Sequence, residues 1–298
     1  MSGWKGRFVF HLAVERQSFF PPLLREVTDS LCAVVFPACC LLCGQELTRA
    51  GLTGVCDPCW AGLVPWEGPA CACCGRPFAS ERALDSGEAR CAMCRQEAFH
   101  FDQARSFGLY TDKLRSVILQ LKFQRRERLG KRLGGLLSSL WGRIEEAYPG
   151  ELPVIVPVPL HSSRQWERGF NQAELLALGL LRGLARSQRP ALPRLETRCL
   201  RRIRATPPQT GLSLQARKQN VRGVFSVVRS ERVRECVVVL VDDVMTTGAT
   251  LSACAGALKA AGAWAVFALT LARATPEFPA DVASSPVSDV DDGGPSRP

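Results

Sequence analysis

Four cysteine pairs of the form Cys-x2-Cys in the first third of this chain constrain its fold more than any other feature. Of the 14 cysteines, 11 lie between Cys32 and Cys94. A Cys-x2-Cys turn points two thiolates at one cation, and two such turns complete the tetrahedral shell that Zn²⁺ prefers. The sequence therefore predicts one or two structural zinc sites, with eight candidate ligands: Cys40, Cys43, Cys56, Cys59, Cys71, Cys74, Cys91 and Cys94.

Two other uses of paired cysteines fit the sequence less well. A redox pair normally occurs singly on a thioredoxin-like βαβ unit, and disulfides require export, for which residues 1–30 carry no signal peptide. The spacing leaves open whether neighbouring or alternate pairs share a metal. Gly44 and Gly75 follow a second cysteine directly, which indicates a turn with positive φ. Cys39 and Cys73 are expected to be spare neighbours.

The run of residues 237–250, Val-Val-Val-Leu-Val-Asp-Asp-Val-Met-Thr-Thr-Gly-Ala-Thr, is the second informative feature. Its five apolar residues predict a buried parallel strand that ends at Asp242 and Asp243. A hydroxyl-rich turn then opens a helix over 251–261, and the N-terminus of a helix favours phosphate. Carboxylates bind hydroxyl groups or Mg²⁺ instead. The run therefore predicts a ligand with a phosphate at one end and vicinal hydroxyls in its middle, such as a ribose 5-phosphate.

This run resembles the fingerprint with which type I phosphoribosyltransferases bind 5-phosphoribosyl 1-diphosphate (PRPP). The resemblance implies that Asp242 and Asp243 bind the ribose 2′- and 3′-hydroxyls, and that Mg²⁺ accompanies PRPP. It also implies that the 5′-phosphate is wrapped by Thr246, Thr247, Gly248, Ala249 and Thr250. A nucleotide hydrolase would need a Gly-x4-Gly-Lys-Ser/Thr loop, which the sequence lacks.

The middle of the chain supplies candidate cations for a diphosphate. Residues 152–158 predict a second buried strand, followed by a loop and then a helix from 173 to about 186. Open α/β sheets bind ligands at the carboxyl ends of their strands. A basic segment at 206–225 is typical of a mobile lid, although a short structural helix over 214–221 is an alternative. The candidates for the pyrophosphate side are Arg164, Arg168, Arg217 and Lys218.

The charge distribution indicates an anionic partner. The net charge is +10, with seven Lys or Arg against one acid in residues 115–132 and seven against none in 198–222. Such clusters are typical of binding to nucleic acid or to a phosphorylated small molecule, and an ordinary solvated surface is the alternative. Phe107, Tyr110 and Phe123 lie near the first cluster. A single-stranded DNA-binding role predicts that their rings stack on the bases.

The order of these segments resembles the ComF family of competence-associated proteins over about residues 31–274. The matching segments are the cysteine pairs, residues 110–123, 156–160, 168–172 (Arg-Gly-Phe-Asn-Gln), 209–212 (Gln-Thr-Gly-Leu), 217–222 and the acidic fingerprint. The resemblance implies a zinc-binding front joined to a type I phosphoribosyltransferase fold, and a role in the uptake or use of external DNA in natural transformation.

These observations predict an α/β fold: a parallel, phosphoribosyltransferase-like sheet flanked by helices, with a small N-terminal zinc-ribbon domain. The expected units are an uncertain segment 1–30, a double zinc ribbon 31–101, a phosphoribosyltransferase-like domain 102–275 and a disordered tail 276–298. The expected partners are PRPP, single-stranded DNA and the membrane-associated DNA-uptake machinery.

A cytoplasmic protein without a transmembrane segment is expected, because no apolar run approaches the roughly 20 residues that a membrane helix needs. A salvage-pathway nucleobase phosphoribosyltransferase with a structural zinc domain is the alternative function. The sequence identifies neither a catalytic residue nor an acceptor for the phosphoribosyl group.

Overall fold

The computed structural model describes residues 39–47, 53–78, 89–122, 126–204, 220–221 and 223–275. The predictions for residues 1–30, for the tail 276–298 and for most of the segment 206–225 lie outside these ranges. Within the described part of the chain, no helix has both the length and the apolar character needed to cross a lipid bilayer.

Five parallel strands form the central sheet. The strands in chain order are β1 (Gln103–Leu109), β2 (Val154–Pro157), β3 (Arg194–Leu195), β4 (Leu200–Arg202), β5 (Phe225–Val227), β6 (Val237–Met245) and β7 (Ala265–Arg273). The sheet has the order β1-β7-β6-β2-β3, and β4 pairs with β5 in a separate antiparallel ribbon. Every residue of β7 is buried, as expected for a parallel sheet covered on both faces. The predicted α/β fold class is confirmed.

The helices lie between and around these strands. They are α1 (Asp57–Ala61), α2 (Ala92–Gln96), α3 (Asp112–Lys122), α4 (Glu127–Leu136), α5 (Trp141–Ala147), α6 (Ser162–Arg168), α7 (Gln172–Arg186) and α8 (Ala249–Ala260). Helix α7 begins within one residue of the predicted start because Asn171 caps it, its side chain accepting the Ala173 N–H at 3.1 Å. The predicted loop before it contains α6, which is followed directly by Gly169 in the left-handed conformation (φ 78°).

Two apolar cores cover the two faces of the sheet. On one face, Ile155, Val239 and Phe267 pack in a core that also holds the buried side chains of α3, α4, α5 and α7. On the other face, Val156, Leu240 and α8 share a second core with the β4–β5 ribbon. Cysteines of the N-terminal region enter both cores: Cys40 and Cys59 lie in the first, and Cys71, Cys74, Cys91 and Cys94 in the second.

The cysteine-rich region also covers the outer edge of β1. The backbone N–H of Trp66 donates to the Phe107 carbonyl, and the backbone N–H of Ala104 donates to the Cys73 carbonyl, both at 2.7 Å. Gly75 packs so closely that a Cβ there would lie 2.6 Å from the Ala104 oxygen, and its φ is +64°. Only glycine suits both the conformation and the contact. The strand that ends the sheet is therefore hydrogen-bonded on its outer side by the N-terminal region.

Strand β6 is longer than the sequence predicts. The prediction ended the strand at the acidic pair, whereas β6 continues to Met245. The extension exists because the neighbouring strand β7 runs on to Arg273, which is the register partner of Met245. Both acidic residues therefore lie within a hydrogen-bonded strand rather than at the start of a loop.

Candidate functional site

The candidate site lies between β2 and β6, where the order in which the chain adds strands to the sheet reverses. The connection from β2 leads outward to β3, whereas the connection from β6 leads to β7 on the opposite side. Ligands of open α/β sheets bind in the crevice that this reversal leaves at the carboxyl ends of the strands. A cavity of about 430 Å³ occupies this crevice, lined by residues that follow β2 and by residues 242–251 at the end of β6 and the start of α8.

Two adjacent carboxylates line this cavity from β6. Asp242 is partly exposed, and Asp243 is only 6 % exposed. The Asp243 N–H donates to Asp242 Oδ1 at 2.9 Å, and the Val244 N–H donates to Asp243 Oδ1 at 2.8 Å. Because each carboxylate is oriented by the backbone of the next residue, the pair presents fixed oxygen atoms to a ligand. Hydroxyl groups and Mg²⁺ are the partners that such oxygens bind.

Next to the acids, a tight turn leads into α8. Gly248 has φ 80° and precedes the first residue of the helix. A Cβ at Gly248 would lie 2.8 Å from Met245 Cε, so the turn packs directly on the end of β6. The Thr247 hydroxyl accepts the Ala249 N–H at 3.3 Å. The first N–H groups of this twelve-residue helix and the loop hydroxyls together favour an anion. All five residues predicted to wrap a phosphate, 246–250, line the cavity.

The opposite wall of the cavity comes from the segment after β2. Arg164 lines the cavity from α6, together with Val158, Pro159 and Leu160. The Asn171 side chain donates to the Val158 carbonyl at 3.1 Å and so holds the end of this strand. Arg168 is absent from the cavity lining and instead donates to Gln172 Oε1 at 3.2 Å. Arg217 and Lys218 lie outside the described residues.

The structure adds lining residues that the sequence interpretation missed. Tyr110 reaches the cavity from the end of β1, Gln172 from the first turn of α7, and Arg202 from β4. None of the three belongs to the strand–turn–helix pattern, and their proximity depends on the tertiary fold. For Tyr110, the sequence offered a role in base stacking and not a place in this cavity.

A larger cavity of about 680 Å³ lies along α8, but it lacks the chemistry of the first. Small and apolar side chains such as Ala253, Ala257 and Phe99 form most of its wall, with Glu97 and His100 as its ionisable groups. The smaller cavity combines paired carboxylates, an arginine and a helix N-terminus. Size alone therefore does not identify the site, and the polar cavity is the candidate.

The eight cysteines of the four pairs form two compact clusters. The ligand atoms of each cluster lie within 4.8 Å of one another, and the clusters consist of Cys40, Cys43, Cys56 and Cys59, and of Cys71, Cys74, Cys91 and Cys94. Neighbouring pairs therefore combine, which settles the question that spacing left open. Gly44 and Gly75 have φ of 74° and 64°, as predicted. Cys39 and Cys73 belong to neither cluster.

A buried arginine tests whether the second cluster fits a metal. Arg273 is 2 % exposed, and its Nη2 donates to Cys74 Sγ at 3.8 Å. Burial lowers the pKa of Arg273, whereas the nearby Cys74 sulfur raises it. A buried cation requires a negative partner, and four thiolates around one divalent cation carry a net charge of −2. The surroundings of Arg273 therefore fit a metal–thiolate centre better than four neutral thiols.

Fold and sites together define a class: α/β proteins with a polar cavity at the carboxyl ends of a parallel sheet and an N-terminal region built on two four-cysteine clusters. Residues 31–95 match the family model of the double zinc ribbon domain. That match covers all eight clustered cysteines.

Relatives of known families match most of the chain. It is 33 % identical to competence protein F of Haemophilus influenzae over 237 residues, which cover 79 % of this chain and 96 % of that protein. It is 34 % identical to the DNA utilization protein YhgH of Salmonella typhi, covering 80 % and 97 %. It is 29 % identical to competence protein ComFC of Bacillus subtilis, covering 78 % and 94 %. The chain belongs to the ComF family of competence proteins.

Proposed function

We propose that the polar cavity at the ends of β2 and β6 binds PRPP together with Mg²⁺. The observation that carries this proposal is the convergence of two carboxylates, a hydroxyl-rich turn at a helix N-terminus and an arginine on one cavity of about 430 Å³. PRPP presents one matching group for each: vicinal hydroxyls for the carboxylates, a 5′-phosphate for the turn and a diphosphate for the arginine. The larger cavity along α8 lacks the paired carboxylates and the arginine.

Each part of the cavity has a role in this proposal. Asp242 and Asp243 accept hydrogen bonds from the ribose hydroxyls, and the turn 246–250 binds the 5′-phosphate through its N–H and hydroxyl groups. Arg164 stabilises the charge of the diphosphate. Mg²⁺, when bound with PRPP, neutralises part of the diphosphate charge. The proposal concerns binding, and transfer of the phosphoribosyl group to an acceptor is a separate step.

Neutralising the acidic pair tests this proposal. We expect Asp242→Asn with Asp243→Asn to weaken PRPP binding at least roughly tenfold, because two charge-assisted hydrogen bonds are replaced by weaker neutral ones. Calorimetric titration of PRPP into zinc-loaded protein with Mg²⁺ gives the affinities. Glu146→Gln with Glu151→Gln removes the same charge from exposed positions and serves as control. Equal PRPP affinity in all three proteins would contradict the role of the acidic pair.

We also propose that each four-cysteine cluster binds one structural Zn²⁺. The donor sets, the spacing within 4.8 Å and the match to the double zinc ribbon support this assignment. A closed four-thiolate shell leaves no open coordination position, so its contribution is to folding rather than to catalysis.

A role in the uptake or use of DNA is proposed from the relatives and from the charge of the surface. The relatives are named for competence and DNA utilization. Arg198, Arg201 and Arg204 are exposed on and beside β4, and Trp166 on α6 is 91 % exposed. Exposed cations and an accessible aromatic ring are the groups that bind single-stranded DNA. Phe107 was predicted to stack on bases, and this is wrong because its side chain is buried. Phe123 lies outside the described residues.

Charge reversal on β4 tests the DNA proposal. Arg198→Glu with Arg201→Glu should lower the slope of log affinity against log salt concentration by about 1.4, since each phosphate contact of a single strand contributes about 0.7. Fluorescence anisotropy of a labelled oligonucleotide between low and moderate salt measures this slope. Arg143→Glu with Arg186→Glu makes the same charge change on helices of the other sheet face. Anisotropy that stays flat for the wild type at low salt would exclude the DNA-binding role.

A further inference from the structure

Arg202 reaches the candidate site from outside the parallel sheet. It is the last residue of β4, and its register partner in the antiparallel ribbon is Phe225 of β5. Its guanidinium carbon lies 5.7 Å from the centre of the Phe225 ring, within the range of a cation–π contact. The ribbon therefore holds this guanidinium at the cavity wall, where it is partly buried.

Two arginines from different elements share one cavity. Arg164 comes from α6 and Arg202 from β4, and both line the cavity that Asp242 enters from β6. Burial lowers the pKa of Arg202, and the charge of Arg164 lowers it further, whereas Asp242 acts in the opposite direction. Holding like charges together in a partly buried cavity costs free energy. An anion that contacts both guanidinium groups offsets this cost.

The charges that line the cavity indicate what kind of anion contacts both arginines. Asp242 and Asp243 carry −2 and the two arginines carry +2, so the side chains of the cavity balance before any ligand binds. The N-terminal turn of α8 already provides a place for one phosphate group. The two arginines form a second position for a phosphate group, separate from this turn. A ligand with a single phosphate uses the turn, and only a ligand with a second phosphorylated group also uses the pair.

We propose that Arg202 is a diphosphate-binding residue that, together with Arg164, makes the cavity select PRPP over ribose 5-phosphate. This inference rests on the proposed PRPP function and assigns the residue that reads the diphosphate. Planar guanidinium groups bind phosphate oxygens in pairs, which gives geometric selectivity as well as charge. Arg202 acts by contact with the ligand and not by positioning another residue.

Comparing two ligands in one calorimetric series tests the inference. Full-length, zinc-loaded wild type, Arg202→Gln and Arg229→Gln are each titrated with PRPP and with ribose 5-phosphate in the presence of Mg²⁺. For Arg202→Gln we expect PRPP affinity to fall roughly 10- to 100-fold, since a charge-assisted contact is lost. Ribose 5-phosphate affinity should stay within about twofold. Arg229, exposed beside β5 of the same ribbon, is the matched control and should change neither affinity.

The possible outcomes distinguish the role of Arg202 from the proposed PRPP binding on which it rests. Failure of the wild type to bind PRPP overturns the proposed function, whatever Arg202 does. Wild-type binding that Arg202→Gln leaves intact, or that it weakens equally for both ligands, overturns the role of Arg202 alone. Arg202→Lys keeps the charge without the planar fork and provides a second variant should the glutamine variant not fold. It should bind PRPP more weakly than wild type and ribose 5-phosphate equally well.

Discussion

Replacing Cys74 with serine should remove one of two zinc ions and destabilise the whole protein, whereas replacing Cys73 should do neither. Cys74 belongs to the second cluster and Cys73, one residue away, does not. Structural zinc sites of this kind have apparent binding free energies of about 10–16 kcal/mol, so the loss of one ligand affects folding directly. Elemental analysis of purified protein gives zinc per chain, and circular dichroism on heating gives the midpoint of unfolding.

The first cluster allows the same comparison between a cysteine of the cluster and its neighbour in sequence. Cys40 is a member of that cluster, and Cys39 is an exposed neighbour outside it. Cys40→Ser should therefore lower the zinc content and Cys39→Ser should leave it unchanged. Two zinc ions per chain in both cluster variants would show that the cysteines do not hold the metal.

Loss of one cysteine should destabilise the protein more in the second cluster than in the first. All four of its cysteines are buried, whereas Cys43 of the first cluster is exposed. Arg273 packs against Cys74, so the loss of the metal–thiolate charge leaves a buried guanidinium without its anionic partner. Removing one partner of a buried charge pair is far more costly than removing an exposed one. We therefore expect a larger fall in the unfolding midpoint for Cys74→Ser than for Cys40→Ser.

Gly179→Ala should strongly destabilise the protein by separating two helices. Helices α4 and α7 cross where a Cβ on Gly179 would lie 2.1 Å from the Lys131 carbonyl oxygen, and one on Gly134 would lie 2.1 Å from that of Leu176. Both neighbours are backbone atoms, so the helices themselves must move apart. Overpacking of this kind costs about 3 kcal/mol, the upper end of the usual range. The free energy of unfolding from denaturant titration measures the change.

Gly142 on α5 is the matched control. A Cβ there would meet no atom within 4 Å, and the residue is exposed. Gly142→Ala should stabilise the protein by about 0.5–1 kcal/mol, because alanine loses less backbone entropy in a helix. A destabilisation of similar size in both variants would show that the close helix crossing is not the cause.

Features that depend on neighbours in sequence could be predicted from the sequence alone. The positive φ of Gly44 and Gly75, the cap at Asn171 and the strand–turn–helix at β6 and α8 each follow from a few adjacent residues. Local rules of conformation and capping apply directly to such segments. The acidic pair and the turn 246–250 were for this reason found without a structure.

Features that depend on the tertiary fold were not predictable. Arg202 lies on a three-residue strand without detectable periodicity, and it reaches the cavity only because β4 pairs with β5. Arg168 was grouped with Arg164 by sequence, yet it contacts Gln172 and stays out of the cavity lining. The sequence predicted that the Phe107 ring is accessible, but on β1 its side chain points into the first core. For Arg202 and Phe107 the contact partners are distant in sequence, whereas Arg168 contacts a residue only four positions away.

The hydrogen bonds along the outer side of β1 link metal binding to solubility. An uncovered edge strand presents a row of N–H and C=O groups on which another chain adds as a further strand. Here Trp66 and Cys73, on segments held by the cysteine clusters, occupy that row. With zinc bound as proposed, we expect its loss to do more than loosen the clusters locally, because it would uncover this edge for intermolecular strand pairing. The segments held by the cysteine clusters thus cover the β1 edge of the parallel sheet, which is where we expect strand pairing between chains once they are displaced.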